Sequence, residues 1–447
     1  AEYFRVKGEA QQAQDSAQEA LNLFQSLDND SGILVATLHL GNAYFIQGDF
    51  GAAQNYWEQV VTTSGRIRNN QHLASALNNL GVVYWNEGNL RKAVEHFKET
   101  LSLPALRIRE RPVAMANLAL IYVDYGPDPE RGQQLAQEAL DAFQEMGNTY
   151  WQAQSRTALG SYHSKVGQYH EALSELQQAQ ALFRRAGSQE RMAQAIWTTA
   201  RVHFSQNQYE QARQTAADAL VVFQELEDSF GVTSAQIFLG WTYLRLGDTA
   251  TAGPLLEEAL QSAESNQYGE LLPDAYNALG ELARLAGDSN RARRHFQQAS
   301  DLWQEPHVSQ FSIEARSWLG LLEAERGNVA RGLRRCQQSA ARARRLKWVD
   351  SQARTGINLA RVHLLRNEHG RALQVVEEIV SLDGLGLEFR ALAYHIRGQA
   401  LEALGRREPA QAAYQEAQRA VRELQQTLPP EHRESFARRP DLRPLWP

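Results

Sequence analysis

The sequence predicts an all-α solenoid of antiparallel helix pairs. Two observations carry that expectation. A small residue, usually preceded by leucine, returns as Gly41, Gly81, Ala119, Gly160, Ala200, Gly240, Gly280, Gly320, Ala360 and Gly398, in steps of 38 to 41 residues. Around it apolar residues recur every three or four positions, the period of an amphipathic helix. A regular period of this size marks a repeat architecture rather than a set of separate domains.

Each unit reads as two helices. In the first, Leu77, Leu80, Gly81 and Tyr84 share a face. Seven residues after the small residue stands Gly or Asn, as at Gly48, Gly88, Asn207 and Gly247. Both tolerate the left-handed conformation that ends many helices. A second helix then runs through Ala53 and Trp57, or through Ala93, Phe97 and Leu101. The short turn makes the two helices antiparallel neighbours. Small residues at the crossing let the backbones approach, and a large residue such as Trp57 or Phe296 fills the space beside them. One pair cannot bury its own stripe, so units stack and share a continuous core.

The ends depart from the pattern. Residues 8–27 match only a turn and a second helix, with Ala13 at the crossing, so 1–30 is expected to be a partial first repeat. Ten repeats of about 40 residues then fill 31–427. Pro429 and Pro430 stop the last helix. The segment HRESFARR within 428–447 is expected to form one or two turns that cap the last repeat.

Gly41, Tyr44, Gly48, Ala53 and Trp57, repeated as Gly81, Tyr84, Gly88, Ala93 and Phe97, resemble the signature of the tetratricopeptide repeat. The usual unit has about 34 residues and a closing proline. Here the unit is longer, most simply through its second helix, and that proline is mostly missing. In this the repeats are similar to those of LGN/Pins-type adaptors and of the sensor domains of large bacterial regulators such as MalT. The resemblance implies a right-handed superhelix whose first helices line a concave groove. Positions three before, one after and four after the small residue would face that groove. They give a polar-aromatic patch of Asn42, Phe45, Asn78 and Trp85, with Asn79 beside it. A second patch comprises Trp197, Arg201, Phe204 and Trp241, and Arg361 stands alone farther on. Asparagines can hold the backbone of an extended peptide. Aromatics rimmed by arginine have the composition of a binding hot spot, and the arginines suit a carboxylate.

Composition narrows the function classes. At 43% hydrophobic, the 447 residues can bury a large core. No apolar run approaches the ~18 residues of a membrane helix, and no secretory leader opens the chain. The expected compartment is the cytoplasm. Cys336, the single cysteine, excludes an internal disulfide framework. It replaces Trp57 and Phe97 in register, which predicts a buried, inert thiol. The chain opens in mid-repeat without Met and is expected to be a piece of a larger protein. The net charge of −6 conceals 23 Lys+Arg against 18 Asp+Glu in residues 301–447, the reverse of the acidic remainder.

No HExxH, GxxxxGK[ST] or GxSxG motif occurs. His163, His203 and His363 take the place of Tyr44, Tyr84 and Tyr122, which predicts packing rather than ligation. Glu257–Glu258 and Glu377–Glu378 are adjacent on helices and point ~100° apart, a poor arrangement for acid–base work. No enzyme, metal or cofactor is expected. The clusters RARRH, RGLRRC and RARRLK fall on second helices and lack interleaved aromatics, which argues against nucleic acid. The expected function is a non-catalytic interaction or scaffold module of a bacterial signalling protein. Its groove would bind a peptide or protein segment, from a partner or from its own parent chain. The alternative is a small-ligand or peptide-pheromone sensor of a transcriptional regulator, with RNA or DNA binding a third reading.

Overall fold

In the computed structural model the described residues are 10–104, 110–302 and 308–446. They contain α-helices and one short 3-10 turn, and no strand. Two units are distinguished: residues 1–121 with 134–147, and residues 122–133 with 148–447.

The first unit holds α1 (Ala10–Ser26), α2 (Asp30–Ile46), α3 (Phe50–Ile67), α4 (Asn70–Asn86) and α5 (Leu90–Ser102). It also holds most of α6 (Glu110–Tyr125) and α7 (Pro129–Glu145). The second unit continues with α8 (Thr149–Lys165), α9 (Tyr169–Arg185), α10 (Gln189–Ser205), α11 (Tyr209–Glu225) and α12 (Ser229–Leu246). Then come α13 (Thr249–Ser265), α14 (Leu272–Leu285), α15 (Ser289–Asp301), α16 (Gln310–Glu325) and α17 (Val329–Leu346). It closes with α18 (Val349–Leu365), α19 (His369–Val380), α20 (Leu387–Ala403), α21 (Arg407–Thr427), α22 (Pro430–Ala437) and the 3-10 turn Arg443–Leu445. From α2 onward the even-numbered helices are the first of each pair and the odd-numbered the second, up to α21.

The helices obey a 20-residue beat. Asp28, Gly48, Arg68 and Gly88 have positive φ, as do Gly147, Gly167, Gly187, Asn207, Glu227, Gly247, Gln267 and Gly287. The residue after each such end commonly caps the next helix. Asn29, Asp49, Asn69 and Asn89 each accept a backbone N–H three residues on, the usual work of an N-cap. Where both ends of a pair keep this beat, as from α8 to α11, each helix has 17 residues. The extra length over a 34-residue unit is therefore shared between the two helices. The expectation that the second helix alone would lengthen is corrected.

The small residue sits against the residue 16 positions later. A Cβ on Gly41 would lie 2.4 Å from Trp57 Nε1, and one on Gly240 would lie 2.4 Å from Leu256 Cδ2. Cys336 occupies the same place against Gly320. It is buried, its Sγ donates to Ser317 O at 3.3 Å, and burial pushes the thiol up to about 12. The three histidines pack at the tyrosine position. Each puts Nδ1 against the residue five on: His163 on Gln168 at 2.7 Å, His203 on Gln208 at 2.8 Å and His363 on Glu368 at 2.7 Å. Those partners are the helix N-caps that make no side-chain cap bond. Where tyrosine stands, as at Tyr44 and Tyr84, the cap is Asp49 or Asn89, which does cap.

The basic clusters lie on α15 and α17, as their spacing predicts, and are largely paired within the array. Arg291 meets Glu257 at 2.5 Å, Arg335 meets Glu323 at 3.1 Å, and Arg344 meets Glu378 at 2.9 Å. Among the described residues no helix is long and apolar enough to cross a membrane.

Candidate functional site

Within the second unit, helices far apart in sequence come together. Tyr169 donates to Gly384 O at 2.9 Å, Ser205 Oγ to Asp350 Oδ2 at 2.7 Å, and Tyr209 to Glu388 Oε2 at 2.8 Å. The first helices from α8 to α20 thus face one another around a cavity. Counted with its open mouth, that cavity holds about 1030 Å³.

Trp197, Arg201, Phe204 and Trp241, expected to form one patch, all line it. Phe238 joins them. It lies 6.4 Å from Trp197 and 5.5 Å from Phe204, ring centre to ring centre. Trp241 stacks on Phe311 at 6.0 Å, and Arg201 covers the face of Trp197 at 5.0 Å. These contacts hold the aromatics in place while one side of the group faces the cavity.

The polar lining is charged and incompletely matched. Trp241 Nε1 donates to Asp274 Oδ1 at 2.5 Å. Burial nevertheless pushes the Asp274 carboxyl up to about 7. Burial also raises Glu314 and Asp350. Asp350 Oδ1 and the indole nitrogens of Trp197 and Trp348 have no hydrogen-bond partner among the described residues. Lys165 lies over the Trp348 ring at 4.3 Å and meets Asp124 at 3.4 Å. Its ammonium is drawn down to about 8, by burial above all. Buried charge is costly unless paired, so a set of under-matched groups around open space is a candidate binding site.

Below the cavity the groove is filled with ion pairs. Arg245 bonds Glu281 at 3.3 Å and Glu388 at 3.4 Å, and Arg439 grips Glu388 with two bonds of 2.9 Å. Arg284 reaches Glu281 and Asp441, each at 3.4 Å. Burial opposes ionisation of both glutamates. The surrounding arginines outweigh it, holding Glu281 well below its usual range and Glu388 at about 2.

Arg361, expected to line the groove, borders this network. It has no hydrogen bond or ion pair among the described residues, and burial, then Arg284, lower it to about 10. In the first unit, Asn79 Nδ2 donates to Asn42 Oδ1 at 2.9 Å. Asn78 is buried, and its Oδ1 and the buried Trp85 indole N–H have no hydrogen-bond partner among the described residues. Phe45 packs on Phe50 at 5.3 Å and Trp57 at 5.8 Å, within its own pair.

Sequence reasoning missed Lys165, Arg245, Asp274, Glu314, Asp350, Arg354 and Glu388, all of which line the cavity. They lie five after or six before the small residue or, for Asp350 and Glu388, ten before it, near the starts of α18 and α20. Charged residues inside otherwise apolar first helices were the available signal.

Models of the tetratricopeptide repeat match residues 32–104, 191–265, 353–378 and 391–420. The regulatory protein AfsR of Streptomyces griseus is 25% identical over 318 residues, which is 70% of this chain and 27% of that protein. The chain thus spans about a quarter of that regulator's length. A Rap protein complexed with competence and sporulation factor has the same fold at a TM-score of 0.56 and 14% identity, over 79% of this chain and 99% of that one. NprR in complex with its cognate peptide NprX matches at a TM-score of 0.50 and 13% identity, over 79% and 98%. Tetratricopeptide repeats thus recur along the chain, set in the helix-pair architecture that the fold relatives share.

Proposed function

We propose that this chain is a non-catalytic sensor module of a larger bacterial regulator, working in the cytoplasm, and that the cavity of its second unit binds a short peptide. The observation that carries this reading is the cavity itself. An aromatic wall of Trp197, Phe204, Phe238 and Trp241 stands opposite Lys165, Asp350 and Glu314, whose charges the protein compensates only in part. A peptide offers apolar side chains for the wall together with amides and charged groups for the rest. Two fold relatives are complexes with a factor or a cognate peptide, and AfsR is named a regulatory protein, which supports the direction. The ion-paired tail occupies the groove below, so the occupant is short, and a long protein segment threaded along the whole groove is disfavoured.

Selection from a random peptide library against the intact chain tests the reading. Recovered peptides should lose about tenfold or more in affinity against Trp197→Ala/Arg201→Ala with the fold retained. Equal recovery by both chains would remove the cavity from contention. A small amphipathic molecule is the second reading, favoured by the enclosure of the cavity. It predicts no enriched peptide, but a rise in Tm with a compound that the double variant ignores.

A further inference from the structure

The C-terminal tail does not stack as another repeat. Leu428 and Pro429 are extended, each with ψ of 147°, and beyond them α22 turns back across the unit. Ser435 Oγ donates to Leu246 O and Arg439 Nη1 to Arg245 O, both at 2.8 Å, at the end of α12. The sequence placed this segment over the last repeat. It also reaches a helix whose residues lie 189 and 194 positions away. Phe436, Leu442 and Leu445 are its buried apolar anchors.

The charged pair of the tail says what the wall beneath selects. Leaving the tail aside, Arg245, Arg284 and Arg354 reach Glu281 and Glu388, and Arg361 has Glu325 as a nearby carboxylate. Asp441 supplies a carboxylate to Arg284 at 3.4 Å, and Arg439 supplies a guanidinium to Glu388 at 2.9 Å. Apolar residues of similar volume would hold a permanent cap at least as well, because desolvation cancels most of the gain of a buried ion pair. What the ionic geometry adds is discrimination between segments.

We propose that this wall is a docking site for a segment carrying an arginine and, two residues later, a carboxylate, and that Arg439-Pro440-Asp441 is its resident, exchangeable occupant. The extended Leu428-Pro429 link is where the tail would swing. Arg245, Arg354 and Glu388 line the cavity as well, so an occupant of the cavity and an occupant of the wall draw on the same charges and are coupled. The docking site itself does not depend on the peptide reading of the cavity.

Amide exchange on the intact chain is the first test. Amides of residues 430–446 should exchange through a local opening, about tenfold or more faster than those of α18 and α20. Exchange of all three at one common rate overturns the proposal. The second test adds a fluorescein-labelled synthetic peptide, PPEHRESFARRPDLRPLW, to the full chain and to its Arg439→Ala variant. The peptide should bind the variant about tenfold or more tighter than the wild type, whose own tail competes. A peptide with both the arginine and the aspartate replaced by alanine should not bind. Binding to neither chain, or equal binding of the two peptides, overturns the proposal. Should Arg439→Ala lose its helical circular dichroism, Arg439→Lys replaces it in the same comparison, since lysine keeps the charge but not the two-pronged bond.

Discussion

Trp241 gives its indole N–H to Asp274 Oδ1 at 2.5 Å, tying α12 to α14 at the edge of the cavity. One hydrogen bond does not offset the burial of that carboxyl, which titrates near 7. The folded state therefore keeps a proton that the unfolded state has released by about pH 4. Stability attributable to Asp274 falls as pH rises from about 4 to 7 and is flat above. Asp274→Asn should be near neutral at pH 4 and stabilising at pH 8, by about 2–4 kcal/mol. Urea unfolding at the two pH values measures the difference. An equal effect at both would show that the carboxyl is ionised throughout.

The crossing of α12 and α13 is set by Gly240. Its place for a Cβ is already taken, with Leu256 Cδ2 and Cγ at 2.4 and 2.5 Å. Gly240→Ala should cost about 1–3 kcal/mol by overpacking, despite alanine's better helix propensity. Leu256→Ala alone should cost about 2–5 kcal/mol through the cavity it leaves. The two together should cost less than their sum by about 1 kcal/mol or more. Strict additivity in a double-mutant cycle would mean that the side chains do not share the space.

Gly247 and Gly287 form a matched pair. Both have φ of +79°, and a Cβ on Gly287 would meet nothing within 4 Å, whereas one on Gly247 would lie 2.3 Å from Ser435 O in the tail. Gly287→Ala should therefore cost only the left-handed backbone term, about 1–2 kcal/mol. Gly247→Ala should cost the same and also push the tail away. Amide exchange over 430–446 should quicken in Gly247→Ala and stay unchanged in Gly287→Ala. Quickening in both would mean that the tail responds to general destabilisation rather than to this contact.

The sequence carried the local architecture well, because one repeat contains all of it. Gly41 against Trp57 and Gly320 against Cys336 are short-range relations written at constant offsets. The four residues Trp197, Arg201, Phe204 and Trp241 were brought together by register alone, since adjacent first helices place equal positions side by side. The helix ends at Arg68, Glu227 and Gln267 were not legible, because nothing in those side chains announces a left-handed residue, although the 20-residue beat does. Least legible was the meeting of α8 and α10 with α18 and α20. It depends on small rotations accumulated over several repeats, and no single repeat encodes their sum. The histidine and N-cap pairs His163–Gln168, His203–Gln208 and His363–Glu368 were readable as a joint departure from Tyr with Asp or Asn, had the two positions been compared together.

Glu388 joins the two regions of the second unit. It accepts Tyr209 and Arg439 and lines the cavity. Its own burial would raise its pKa, but Arg439 and Arg245 outweigh that and hold it at about 2. A carboxyl depressed in the folded state contributes stability that is present above its unfolded value, about 4.3, and is lost as pH falls toward 2. Glu388→Gln should accordingly destabilise the chain at pH 7 by about 3 kcal/mol, leaving Arg439 and Arg245 short of a counter-charge. The deficit should shrink steadily below pH 4 as the wild type loses the same interaction. Chemical unfolding at pH 7, 4 and 3 resolves the trend. A deficit constant across that range would assign the loss to altered packing around α20 rather than to the charge.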